Sequence, residues 1–94
     1  MDLETFKQSL DHDQPPQGLS PELQALWWDG KGNWEQAHQT AQDISNLSGS
    51  WIHAYLHRKE GDQFNAGYWY SRAGKPKPSI SLEEEWEELV AAML

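Results

Sequence analysis

Residues 51–62 read Trp51-Ile52-His53-Ala54-Tyr55-Leu56-His57-Arg58-Lys59-Glu60-Gly61-Asp62. At about 100° per residue, Trp51, Ile52, Tyr55 and Leu56 form one continuous apolar arc, with His53, His57 and Glu60 together beside it. Gly61 supplies the residue that tolerates the left-handed conformation of a helix end. Asp62 then offers a side-chain acceptor for the first free amides of a following helix. The stretch therefore predicts helix, stop, cap, helix. The same grammar recurs along the chain and predicts an all-α fold.

Working outward, Ser20-Pro21-Glu22 predicts a helix start: a serine cap, proline at the first helical position and an acid in the first turn. That helix runs to about Asp29 and stops at Gly30-Lys31-Gly32. Asn33 caps the next helix, which carries Trp34, Ala37, Ala41 and Ile44 on one face. Asn46 to Ser50 reads as a break before a helix over about Ser50 to Glu60, and Asp62 caps another running to about Ala73. Neither Pro76 nor Pro78 offers an amide hydrogen, so Gly74–Pro78 is a connector. Ser81 with Glu84 forms a capping box for a last amphipathic helix, with Leu82, Trp86, Leu89, Val90 and Met93 on one side and glutamates on the other. Residues 2–10 give a short helix through Leu3, Phe6 and Leu10, and Asp11 to Leu19 a loop. One helical domain over 1–94 results: 1–19 a short helix and loop, 20–74 two helical hairpins, and 75–94 a linker and C-terminal helix.

Aligning Gly32 with Gly61, an offset of 29 residues, sets Gly32-Asn33-Trp34-Glu35-Gln36-Ala37 against Gly61-Asp62-Gln63-Phe64-Asn65-Ala66, and Ala25 against Ala54. Small residues at matching places let paired helices approach closely. Gly61-Asp62, Ala66, Tyr70 and Ala73 resemble the second-helix signature of tetratricopeptide-type helical-hairpin repeats. In the first unit Ala41 stands where a large aromatic is usual. The string "HAYLHRKEGD" also resembles small bacterial proteins, a likeness that brings no activity with it. The repeat resemblance implies two hairpins whose first helices line a concave groove. Carried over residue by residue, it puts Trp51, Tyr55, Arg58 and Lys59 in that groove from the second unit, and Glu22 and Leu26 from the first. The C-terminal helix is expected to cover the apolar end of the last hairpin. The alternative is that this acidic helix lies against Arg58 and Lys59 and occupies the groove, in its own chain or in a partner.

Composition narrows the function. With seven basic and fifteen acidic residues the formal charge is −8. Such a field repels nucleic acid and anionic membranes, whose recognition needs a basic face. There is no cysteine, hence no disulfide and no thiolate metal site. The N-terminus is acidic and polar, no segment reaches the roughly 20 apolar residues of a membrane span, and a soluble cytoplasmic protein is expected. Six tryptophans offset a hydrophobic fraction of only 37%. Most belong to core packing, leaving one or two for a partner.

Catalytic machinery is absent from the pattern. There is no phosphate loop and no nucleophile elbow, and the carboxylates of Glu83-Glu84-Glu85 and Glu87-Glu88 read as a solvated helix face. His53 and His57 are spaced as metal ligands on a helix, and His38 is the third imidazole within reach. The glutamate of the zincin pattern is missing, since Ala54 stands in its place. No metal and no cofactor is expected on these ligands. The leading expectation is an interaction module for an unknown, acidic protein or peptide. A small histidine-dependent metal enzyme is the alternative, and a homodimer held by an apolar helix face the third. The helix ending at Ala73 favours a contact of some kind, because Phe64 and Tyr68 lie on one side and Ala66, Trp69, Tyr70 and Ala73 on another, so that two faces need burial.

Overall fold

A computed structural model of residues 1–94 gives six α-helices and no strand: α1 (Leu3–Ser9), α2 (Pro21–Gly30), α3 (Trp34–Gln42), α4 (Leu47–Glu60), α5 (Gln63–Ala73) and α6 (Leu82–Met93). The fold is all-α, as the sequence predicts. The caps sit where side-chain chemistry places them: Ser20, Asn33, Asp62 and Ser81 each accept an amide hydrogen from the first turn of their helix. Ser81 and Glu84 form the reciprocal box. Gly61 closes α4 in the left-handed region at φ 90°, with its amide directed back into the last turn. No helix is long and apolar enough to cross a membrane.

One boundary differs from expectation. Asn46 to Ser50 is not a break: Asn46 is the N-cap of α4, and its side chain accepts the Gly49 amide at 2.8 Å. The helix can begin there because Gly49 has no Cβ. A Cβ at that position would sit 2.3 Å from the Ile44 carbonyl oxygen. Ile44 itself falls beyond the end of α3.

Helices α2 and α3 form one hairpin, α4 and α5 a second, and α3 packs on α4 to join them. The main core gathers Phe6, Leu23, Leu26, Trp27, Ile52, Tyr55, Leu56, Trp86, Leu89 and Val90, contributed by α1, α2, α4 and α6. A smaller cluster of Ala54, Ala66 and Tyr70 lies inside the second hairpin. The alanines carry the close approach of the helix pairs: Ala37 and Ala41 in α3, Ala54 in α4 and Ala66 in α5 are fully buried.

α6 uses the expected face, with Trp86, Leu89 and Val90 buried and Leu82 and Met93 packed at the margin. Of the two expected positions it takes the groove, with Glu85 on Arg58, while Lys59 pairs with Asp29 instead. Rather than covering the end of the last hairpin, α6 lies against α1, α2 and α4. The physical reason is the indole of Trp86, which meets Phe6 at 5.9 Å and donates to the Leu26 carbonyl at 3.0 Å, so the helix is drawn across the first helix of each hairpin. α5 carries the two expected faces, and one of them is covered within the chain. It buries Ala66, Tyr70 and Ala73, while Phe64 remains 86% and Tyr68 52% exposed. The helix buries one face and leaves its second aromatic face open.

Candidate functional site

The residues assigned to a concave groove come together, but under α6. Leu26 is fully buried and Tyr55 is 2% exposed. Tyr55 donates its hydroxyl to Asp29 Oδ2 at 2.8 Å, and Lys59 reaches Asp29 Oδ1 at 2.9 Å. Burial and the Asp29 charge both raise the Tyr55 phenol far above its ordinary range, so it stays protonated. Trp51 and Arg58 converge on Glu85 of α6: the Arg58 guanidinium donates to Oε1 at 2.8 Å, and the Trp51 indole to Oε2 at 3.2 Å. The Tyr70 hydroxyl meets both carboxylate oxygens at 2.9 and 2.7 Å, and Arg58 also holds the Ile80 carbonyl. Glu22 is half-buried on α2 and takes no part in this network.

Glu85 corrects the reading of the acidic run as wholly solvated. It is 1% exposed. A buried carboxylate is tolerable only when paired and hydrogen-bonded, and the arginine, phenol and indole supply that. Asp29 and Glu85 are the residues that sequence reasoning missed. A signal existed for both: Glu85 stands three after Leu82 and four before Leu89, and Asp29 three after Leu26, on the faces that turn inward.

On the other side of α4, the three imidazoles meet. His53 and His57 are one turn apart with rings nearly parallel, centroids 5.0 Å apart. His38 arrives from α3, and its Nε2 lies 3.0 Å from His53 Nε2. One ring nitrogen from each of the three residues lies within 4.8 Å of the others. Two indoles hold the rings. Trp34 stacks on His38 at 4.8 Å and 12°, and Trp69 on His53 at 4.1 Å and 6°. Trp34 is itself fixed by donating to the Leu56 carbonyl at 2.8 Å. Glu60 accepts from His57 Nδ1 at 2.7 Å.

Burial lowers the basicity of His53, assisted by the neighbouring His38 and His57, and takes its pKa down to about 4. His38 is lowered by burial and then by His57. Both rings are therefore neutral near pH 7 and carry lone pairs. No substrate-sized concavity borders these rings; the four surface hollows are lined by other residues.

The exposed face of α5 is the remaining feature. Phe64 and Tyr68 stand one helical turn apart, and the Arg72 guanidinium lies 5.9 Å from the Tyr68 ring and 5.1 Å from Trp69. From Gln63 to Leu82 the chain contains no acidic residue, while Arg72, Lys75 and Lys77 are all exposed. Lys77 lies over Gly67, and Lys75 sits 4.2 Å from the Trp51 ring.

No family model matches the chain, and neither a curated protein nor a solved structure matches it.

Proposed function

We propose that this domain is an interaction module of the tetratricopeptide-like hairpin kind, and that it binds an acidic protein or peptide segment through the outer face of α5. The observation that carries the reading is Phe64, 86% exposed, beside exposed Tyr68 and Arg72 in a stretch without a single acid. Aromatic and arginine side chains dominate binding hot spots, because they bring large rigid area and directed donors at small entropic cost. A local basic, aromatic surface on a chain of charge −8 selects acidic segments and leaves the rest of the surface repelling them. The concave side offers less, since α6 already fills it. The lack of cysteine fits action in the reducing cytoplasm.

The test is affinity capture from a native lysate with the wild-type chain, Phe64→Ser and Arg72→Glu, at low and moderate salt. An acidic protein retained by the wild type and lost by both variants, with weaker retention as salt rises, supports the reading. Retention of the same proteins by all three baits removes the α5 face from consideration. Recovery of nucleic acid instead would overturn the choice of partner class.

A further inference from the structure

We infer that His38, His53 and His57 form a binding site for a divalent transition-metal ion of borderline softness, zinc foremost, which staples the first hairpin to the second. The site is independent of the α5 docking face and stands or falls without it.

The argument begins with ligand chemistry. Imidazole nitrogen suits zinc, copper and nickel, and two histidines one turn apart on a helix plus a third from elsewhere make a recurrent donor set. Two nitrogens at about 2.0–2.1 Å from a tetrahedral ion lie about 3.3 Å apart. His38 Nε2 and His53 Nε2 stand 3.0 Å apart, close to that spacing. A simple hydrogen bond between two imidazoles would give the same distance, but it needs no third ring. The third ring is present: one nitrogen of His57 lies within 4.8 Å of the other two.

The tautomer of His57 is set from outside. Its Nδ1 donates to Glu60 Oε1 at 2.7 Å, which leaves the lone pair on Nε2. A carboxylate on the far nitrogen of a metal-bound imidazole is the usual outer partner in such centres, where it orients the ring and raises its donor strength. Stacking on Trp34 and Trp69 fixes the other two rings. Little side-chain freedom is therefore left to lose on binding. Three imidazole ligands leave one position for water.

The placement of the ligands says what the ion would do. His38 belongs to α3 of the first hairpin, whereas His53 and His57 belong to α4 of the second. An ion held by all three ties the joint between the hairpins. With no hollow for a substrate beside it, the site is assigned to structure or regulation rather than catalysis.

The experiment titrates the metal-stripped full chain with Zn²⁺ against a competing chelator dye. Co²⁺ absorption reports coordination geometry, and melting temperature gives an independent readout. One equivalent per chain is expected, with a tetrahedral cobalt spectrum and a melting temperature that rises with zinc. His38→Gln and His57→Gln, both on partly exposed rings, should each weaken binding at least tenfold. Glu60→Gln should weaken it about 10–100-fold through His57. His12→Gln and Phe64→Ser should bind as the wild type does, which keeps this test separate from that of the partner face. Circular dichroism confirms that each variant is folded. Absence of saturable binding by the folded wild type up to tens of micromolar zinc would overturn the inference. So would stoichiometric binding that survives His38→Gln and His57→Gln together.

Discussion

The two sides of α4 gather polar side chains in opposite ways. Toward α6, Asp29 and Glu85 are each met by groups of complementary character: lysine and phenol for one, arginine, phenol and indole for the other. Toward α3, three groups of the same kind are pressed together, with one mutual hydrogen bond and one outer carboxylate among them. Complementary groups complete one another and need nothing further. Like groups joined by a single hydrogen bond leave ring nitrogens that the proposed cation would engage. The contrast separates a polar network that holds the fold from one that can receive something.

The largest effect should fall on the complementary side. Glu85→Ala leaves Arg58, Tyr70 and the Trp51 indole without their acceptor, and removing one partner of a buried ion pair costs about 3–5 kcal/mol. Urea denaturation should show this as a lower midpoint with an unchanged slope. Glu84→Gln, one residue away in the same acidic run, should cost no more than about 1 kcal/mol through the cap. Equal losses at the two positions would mean that Glu85 is not the centre of the network. Trp86→Ala, which empties the contact between α6 and both Phe6 and Leu26, should cost about 3–5 kcal/mol as well.

Acid should sharpen the contrast on the imidazole side. His53 has a folded pKa near 4 against an ordinary 6.5, so between these values the unfolded chain binds more protons than the folded one. Stability contributed by the neutral ring is complete above about pH 6.5 and is lost as pH falls toward 4. Melting temperature measured from pH 7 to 5 without metal should therefore fall. His53→Gln should flatten this part of the profile. An unchanged profile in that variant would place the acid sensitivity elsewhere.

A smaller effect belongs to the turn between the α4 and α5 halves of the second hairpin. Gly61→Val puts a β-branched residue at φ 90°, costing about 1–2 kcal/mol although no neighbouring atom obstructs a Cβ there. The smallest falls on the outer face: Phe64→Ser should shift stability by less than about 0.5 kcal/mol, while abolishing capture of the partner. A large loss of stability would mean that Phe64 is buried in an assembly of this chain.

How much of this was legible in the sequence depends on the range of the physics involved. Local signals carried well: the Asn33 and Asp62 caps, the Ser81–Glu84 box and the Gly61 stop depend on residues within four of each other. Asn46 shows the limit, because Ser48-Gly49-Ser50 looks like a connector until the Ile44 carbonyl is seen to occupy the space of a missing Cβ. The docking of α6 was legible only as one of two alternatives, because the choice between the groove and the end of the last hairpin depends on an indole finding a carbonyl 60 positions away. The histidine site was half legible. The pair on α4 and the identity of the third ring could be read, but their convergence required the packing of α3 on α4.

The position of α6 also has a consequence for the order of assembly. Each hairpin closes through contacts between neighbours in sequence, which form quickly because little chain entropy is lost in bringing them together. The contact between Phe6 and Trp86 joins opposite ends of the chain and must come after both hairpins exist. Until it forms, Phe6 and the Leu26 carbonyl lack the Trp86 indole, and Arg58 and Tyr70 lack the Glu85 carboxylate. On this account stabilising changes in α6 slow unfolding and leave the folding rate nearly untouched, whereas changes at the α4–α5 turn alter the folding rate itself.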